Sequence, residues 1–165
     1  MRKIISGGQT GADLGALKAA RKTGLRHGGW APKGFKTEHG KSLWLQSVYG
    51  LRETISAKYE VRTIANIRHS DGTLIIAANF DSPGTRLTWN AVRQAKKPVA
   101  CVSMLDPWNP KRIAKWIWDK QIAVLNVAGN RESVAPGIED FTQEYLTQVL
   151  HLFAELLLHG SGRRR

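Results

Sequence analysis

The chain has 165 residues, 42% of them hydrophobic, enough for one domain with its own core, whereas two domains would each be small. Its 25 Lys and Arg against 13 Asp and Glu give a formal charge of +12, which favours phosphate-bearing ligands or polyanions without choosing between them. No apolar run approaches the roughly 20 residues of a membrane span, and Met1-Arg2-Lys3 leads only into Ile4-Ile5 before Ser6, so the chain reads as cytoplasmic with no membrane partner. The lone cysteine, Cys101, cannot close an internal disulfide, and within Val99-Ala100-Cys101-Val102 it reads as a buried strand thiol.

Arg2 to Ser6 is a short predicted strand and Gly11 to Thr23 a helix, with Leu14, Leu17 and Ala20 at helical spacing before Gly24. From Arg26 to Leu51 the sequence is rich in Gly, Lys and Pro with little periodicity, apart from a second strand at Gly28-Gly29-Trp30-Ala31; a loop of this length is expected to fold over the site. Ser56 is the expected N-cap of a helix running to about His69. Thr73 to Ala77 is a wholly apolar strand of the parallel-sheet kind, followed by a helix over Thr85 to Lys96 and a strand over Pro98 to Ser103. Asn109-Pro110 opens a helix carrying Ile113, Trp116 and Ile117, Ala123 to Val127 is the next strand, and the last helix spans about Glu139 to His159. Trp108, Trp116 and Trp118 read as packing residues. This alternation predicts an α/β fold, a doubly wound parallel sheet flanked by helices, with one domain over 1–159 and a disordered basic tail over 160–165. The apolar face from Phe141 to Leu157 predicts a homo-oligomer, dimer or tetramer.

Directly after the first strand stands Ser6-Gly7-Gly8-Gln9-Thr10-Gly11-Ala12-Asp13. Glycines allow positive φ and close backbone approach, so consecutive N–H groups can converge on a phosphate while the next helix points its positive end there. Ser6, Gln9 and Thr10 add side-chain donors that a bare turn would not need. Asp13 has two readings, ligand contact or helix N–H acceptor. The pattern fits neither the dinucleotide nor the NTPase fingerprint. Expected site residues are therefore Ser6, Gly7, Gly8, Gln9, Thr10 and Asp13, beyond the carboxyl end of a parallel strand.

Taken with Gly28-Gly29-Trp30-Ala31-Pro32-Lys33-Gly34, Glu38, Tyr59, Arg62-Thr63, Asn66 and Ser70-Asp71, this loop makes the chain resemble the molybdenum carrier family, the YpsA-related branch of the SLOG superfamily. The likeness runs from about residue 3 to residue 138 and takes in Val127 to Ser133 and Pro136-Gly137-Ile138, with Asn130 where that family usually has Pro. The resemblance implies a Rossmann-like fold and a phosphorylated, nucleotide-like small-molecule ligand, either molybdenum cofactor or a nucleoside phosphate. It adds Trp30, Lys33, Arg62, Asn66, Ser70, Asp71, Gly84, Thr85, Arg131, Glu132 and Ser133 to the expected site.

Related phosphoribohydrolases of the LOG type cleave nucleoside monophosphates with an Arg and with a Glu that follows a P-G-G-x-G-T turn. Arg62 and Asp71 have the spacing of that group's Arg and strand-opening Asp, but Asp81-Ser82-Pro83-Gly84-Thr85-Arg86-Leu87-Thr88 offers no acid after the turn. Glycosidic cleavage needs a carboxylate. Asp81 and Glu132 remain as substitutes from another direction, so binding without turnover is the expectation and no catalytic residue is assigned. His27, His39, His69, His151 and His159 are dispersed, and no metal site is expected. Nucleic acid stays open as a second class of partner, from the charge and from the resemblance to a superfamily with more distant DNA-binding members.

Overall fold

The computed structural model describes residues 1–160; the rest of the expected tail, 161–165, lies outside the described residues. Strand β1 (Lys3–Ile5) leads through helix α1 (Ala12–Lys22) to β2 (Arg26–Ala31). A short hairpin, β3 (Lys36–Thr37) and β4 (Gly40–Lys41), precedes α2 (Trp44–Tyr49) and β5 (Leu51–Glu53). Then come α3 (Tyr59–Arg68), β6 (Gly72–Ala77), α4 (Pro83–Gln94), β7 (Val99–Ser103), α5 (Pro110–Asp119), β8 (Val124–Gly129) and α6 (Ile138–Gly160).

Six strands form one parallel sheet in the order β5-β2-β1-β8-β6-β7, and β3-β4 stand apart as an antiparallel pair. The late strand β8 thus slots between β1 and β6, with Ile4 beside Leu125 and Leu74 beside Val127. Every residue of β6 is buried, as a central parallel strand requires. On one face α1, α5 and α6 close over Ile4, Leu74, Ile76, Leu125 and Val127 with Ala16, Ile113, Ile117, Tyr145 and Val149. On the other, α3 packs on β2 and α4, and α4 on β6 and β8. This is a Rossmann-like α/β architecture, as the alternation predicts. No helix among the described residues is long and apolar enough to cross a membrane.

The segment 26–51 departs from expectation. It is built of short elements, and Phe35, Leu45, Tyr49 and Leu51 join Leu17 and Ala31 in a second small core. Two-residue strands and a six-residue helix are too short to print a period in the sequence. Helix α3 starts at Tyr59 with Lys58 as N-cap; Ser56 instead accepts the Lys58 N–H through its hydroxyl at 3.2 Å. Helix α4 begins at Pro83, two residues earlier than its apolar row suggests, and α6 takes in Gly160.

Candidate functional site

The carboxyl ends of β1, β6 and β8 open into a crevice of about 230 Å³, in the position where open parallel sheets take ligands. Its walls come from Gln9 and Asp13, from Tyr59 and Arg62 of α3, from Ser82 to Gly84 at the start of α4, and from the turn Gly129 to Val134.

The glycine loop forms one edge of the crevice, and three of its backbone amides are spent on protein acceptors. The Gln9 N–H is given to Asp13 Oδ2 at 3.2 Å, the Thr10 N–H to Gln9 Oε1 at 3.1 Å, and the Ala12 N–H to the Asn130 carbonyl at 3.0 Å. The glycines answer to packing. A Cβ on Gly7 would lie 1.7 Å from Arg62 Nη1, and one on Gly8 (φ 71°) would lie 2.5 Å from Leu51 Cδ2. Ser6 is buried and donates its hydroxyl to the Val127 carbonyl at 2.7 Å. The cradle role expected of the Gln9 and Thr10 amides is corrected accordingly, since both are spent within the loop.

The chief contact on this wall is the Arg62–Asp13 pair, Nη1 to Oδ2 at 2.8 Å, with the carboxylate almost wholly buried. Burial pushes the Asp13 carboxyl above its ordinary range, and the Arg62 charge and the Gln9 N–H only partly offset that. Two buried donors of residues on this wall, Gln9 Nε2 and Arg62 Nε, have no hydrogen-bond partner among the described residues. Nearby, the Arg131 guanidinium lies 4.6 Å from the centre of the Tyr59 ring.

Opposite stands the first turn of α4. Asn130 fixes it: its Oδ1 accepts from the Ala78 and Asn79 N–H groups, and its Nδ2 donates to the Asn79 carbonyl, Ser82 Oγ and Thr85 Oγ1, all at 2.8–3.0 Å. Thr85 is thereby spent on the scaffold, while a Cβ at Gly84 would meet nothing within 4 Å, so Gly84 faces open space.

Glu38, in the β3–β4 turn, clasps the rim. Its carboxylate accepts from the hydroxyls of Thr10 and Ser133, and its N–H goes to Gln9 Oε1 at 2.9 Å. Burial works to raise its carboxyl, but the bonds from Ser133 and Thr10 and the Arg131 charge prevail and hold it below the usual range. Segment 36–41 therefore does reach over the loop edge of the site, as its length suggested.

Several expected site residues serve the fold instead. Glu132 accepts from Gly137 N and Glu139 N and so caps α6. Asn66 clamps α3 to β2, accepting from Trp30 N and donating to the Trp30 and Arg62 carbonyls. Asp71 Oδ2 accepts from Ala123 N and Val124 N, and Ser70 donates to the Ile67 carbonyl; both lie at the amino end of β6, the far edge of the sheet. Lys33 is exposed, and neither it nor Trp30 lines the crevice. Sequence reading left Tyr59, Ser82 and Asn130 off the site; Tyr59 was visible in the family resemblance, while the roles of Ser82 and Asn130 depend on a contact 48 residues long in sequence.

The chain matches the family described as "Circularly permutated YpsA SLOG family" over residues 4–150. A crystal structure of a "Putative molybdenum carrier protein" from Syntrophus aciditrophicus SB is similar, with 39% identity, a TM-score of 0.82, and coverage of 91% of this chain and 95% of that one. Among curated proteins there is no significant match. By the extent of these likenesses, the chain belongs to the circularly permutated YpsA branch of the SLOG family.

Proposed function

We propose that the crevice binds a phosphorylated, nucleotide-like small molecule, with molybdenum cofactor the leading candidate, and that the protein acts as its carrier or sensor without turning it over. The observation that carries this is the placement of Gln9 and Arg62 on the wall of an open cavity, each with a buried side-chain donor, Nε2 and Nε, that has no partner among the described residues and reaches a ligand only after a side-chain shift. A buried donor without an acceptor costs about 1–3 kcal/mol, which an oxyanion would recover. Arg62, Arg131 and the Gly84 end of α4 supply matching positive potential. The name of the Syntrophus relative favours molybdenum cofactor over a nucleoside phosphate. Its phosphate and pterin would be held by Arg62, Arg131, Ser133 and Gln9, with the Tyr59 ring beside them; the donor set suits the phosphate and not the metal.

Neither carboxylate offered for the phosphoribohydrolase reading supports it: Glu132 is committed to α6, and Asp81 lines a different cavity beside Phe80 and Trp89. The exposed Trp118, Leu156 and Leu158 on α5 and α6 support self-association. Native mass spectrometry of freshly purified protein tests the binding reading directly. A retained phosphorylated mass, released on denaturation, is expected; protein that stays ligand-free after incubation with AMP and with molybdenum cofactor would overturn it.

A further inference from the structure

Parallel sheets are ordinarily covered on both faces. Here the strand register sets Val124, Lys3 and Arg26 side by side and Trp30 beside Arg52, so these residues share one face of β8, β1, β2 and β5. Over this face, beyond the end of α3, a groove of about 360 Å³ remains, closed at its rim by Arg2, Gly50 and His69. Its position differs from the crevice, with which it shares no lining residue.

The lining holds four cations, Arg2, Lys3, Arg26 and Arg52, and no acid. Among the described residues, none of the four takes part in an ion pair. The crowding is felt: burial, then the charges of Arg52, Arg26 and Arg2, push the Lys3 ammonium below its usual range. At one end the Trp30 and His69 rings lie 5.4 Å apart.

We propose that this groove is a second binding site, one that takes the oligophosphate group of a small molecule, pyrophosphate or the phosphate chain of a nucleotide. Concentrated positive charge with no internal counter-ion is matched by a compact, multiply charged anion. A second copy of the chain does not match it, because a two-fold contact would set the cations against themselves. The groove is concave and bounded, which suits a short anion over a continuous nucleic-acid strand. Trp30 marks where a base would lie if the phosphates come on a nucleotide.

Isothermal titration of the full chain with pyrophosphate and with ATP, in low salt without magnesium, tests this. Both are expected to bind, and Arg26→Gln with Arg52→Gln to weaken both by about tenfold or more. Gly84→Asp, in the other cavity, removes only the binding that belongs to the crevice, so binding that survives it and is lost in the arginine variants belongs to the groove. Weaker ATP binding with unchanged pyrophosphate binding in Trp30→Leu assigns the nucleotide as source, and equal affinities unaffected by Trp30→Leu assign the free oligophosphate. Arg52→Glu is the second variant, and both arginines are exposed, so folding is checked by an unchanged melting curve. Absence of heat, affinities unchanged in the arginine variants, or displacement by an oligonucleotide with affinity rising with its length would each overturn the proposal.

Discussion

Gly84→Asp separates ligand binding from folding because the two effects carry opposite signs. Gly84 is the second residue of α4, after the N-cap Ser82 and Pro83, and a Cβ there meets nothing within 4 Å. A carboxylate in the first turn of a helix is favourable by about 0.3–1 kcal/mol, and losing a helical glycine adds several tenths more. The unliganded variant should therefore be more stable by about 1 kcal/mol, or about 2–4 °C in a chain of this size. An anionic ligand seated about 5 Å from that carboxylate would be repelled by about 3 kcal/mol at an effective dielectric of 20, which is about a hundredfold in affinity. Differential scanning fluorimetry with and without molybdenum cofactor or AMP, followed by calorimetry, reads both numbers. Gly84→Asn, neutral and nearly isosteric, should bind within a few-fold of the parent. If the Asp variant is protected by ligand as well as the parent is, no anion sits at the start of α4.

Three further outcomes follow from the scaffold. Arg62→Gln leaves Asp13 buried without its cation and should cost about 3–5 kcal/mol near neutral pH in urea unfolding. Because the folded Asp13 carboxyl already lies above its unfolded value, the folded state holds more protons there, so stability falls as pH rises through that interval. Without Arg62 the interval widens, and the deficit should be larger at pH 8 than at pH 5; a deficit independent of pH would contradict the burial of a titrating Asp13. Asn130→Ala removes both the acceptor of two backbone N–H groups and the tie to Ser82 and Thr85, with an expected loss of about 2–4 kcal/mol and a matching loss of ligand protection. Asp71→Ala should cost about 1–2 kcal/mol by freeing Ala123 N and Val124 N, with ligand affinity unchanged, which affinity measured in parallel would check.

The second half of the fold was legible because its signals are long. The wholly buried β6, the Asn109-Pro110 start of α5 and the striped α6 each carry a readable pattern. Segment 26–51 was not, because its strands are held by backbone pairing and its core is shared with Leu17 across the chain. The glycine loop was found for a sound reason and then over-read: glycines are demanded wherever backbone must pass closely, and here they pass Arg62 and Leu51. Ser70 and Asp71 could have been set aside from sequence, since a residue opening a strand stands at its amino end, away from the ligand edge. No local pattern could reveal that the Asn130 side chain would tie the end of β6 to the first turn of α4.

On the proposed binding reading, recognition turns on Gln9. Its Oε1 accepts from Thr10 N at 3.1 Å and from Glu38 N at 2.9 Å, so the amide cannot be turned over without setting its NH₂ against two N–H donors. Its Nε2 must then face away from both, and there it finds no protein acceptor although Gln9 is only 4% exposed. An orientation forced by the fold thus leaves a donor reserved for something the chain does not supply. Gln9→Glu keeps one oxygen for the two backbone bonds and replaces the reserved donor with an anionic acceptor on the same wall as Arg62. Because Gln9 is only 4% exposed, the new carboxyl should cost the fold about 3–5 kcal/mol, so binding is measured well below the melting temperature, and affinity for AMP or molybdenum cofactor should drop about tenfold or more, since a charge-assisted donor has become a repulsive acceptor. Undiminished binding in this variant would mean that the ligand never approaches Gln9 and that the buried donor is satisfied by water alone.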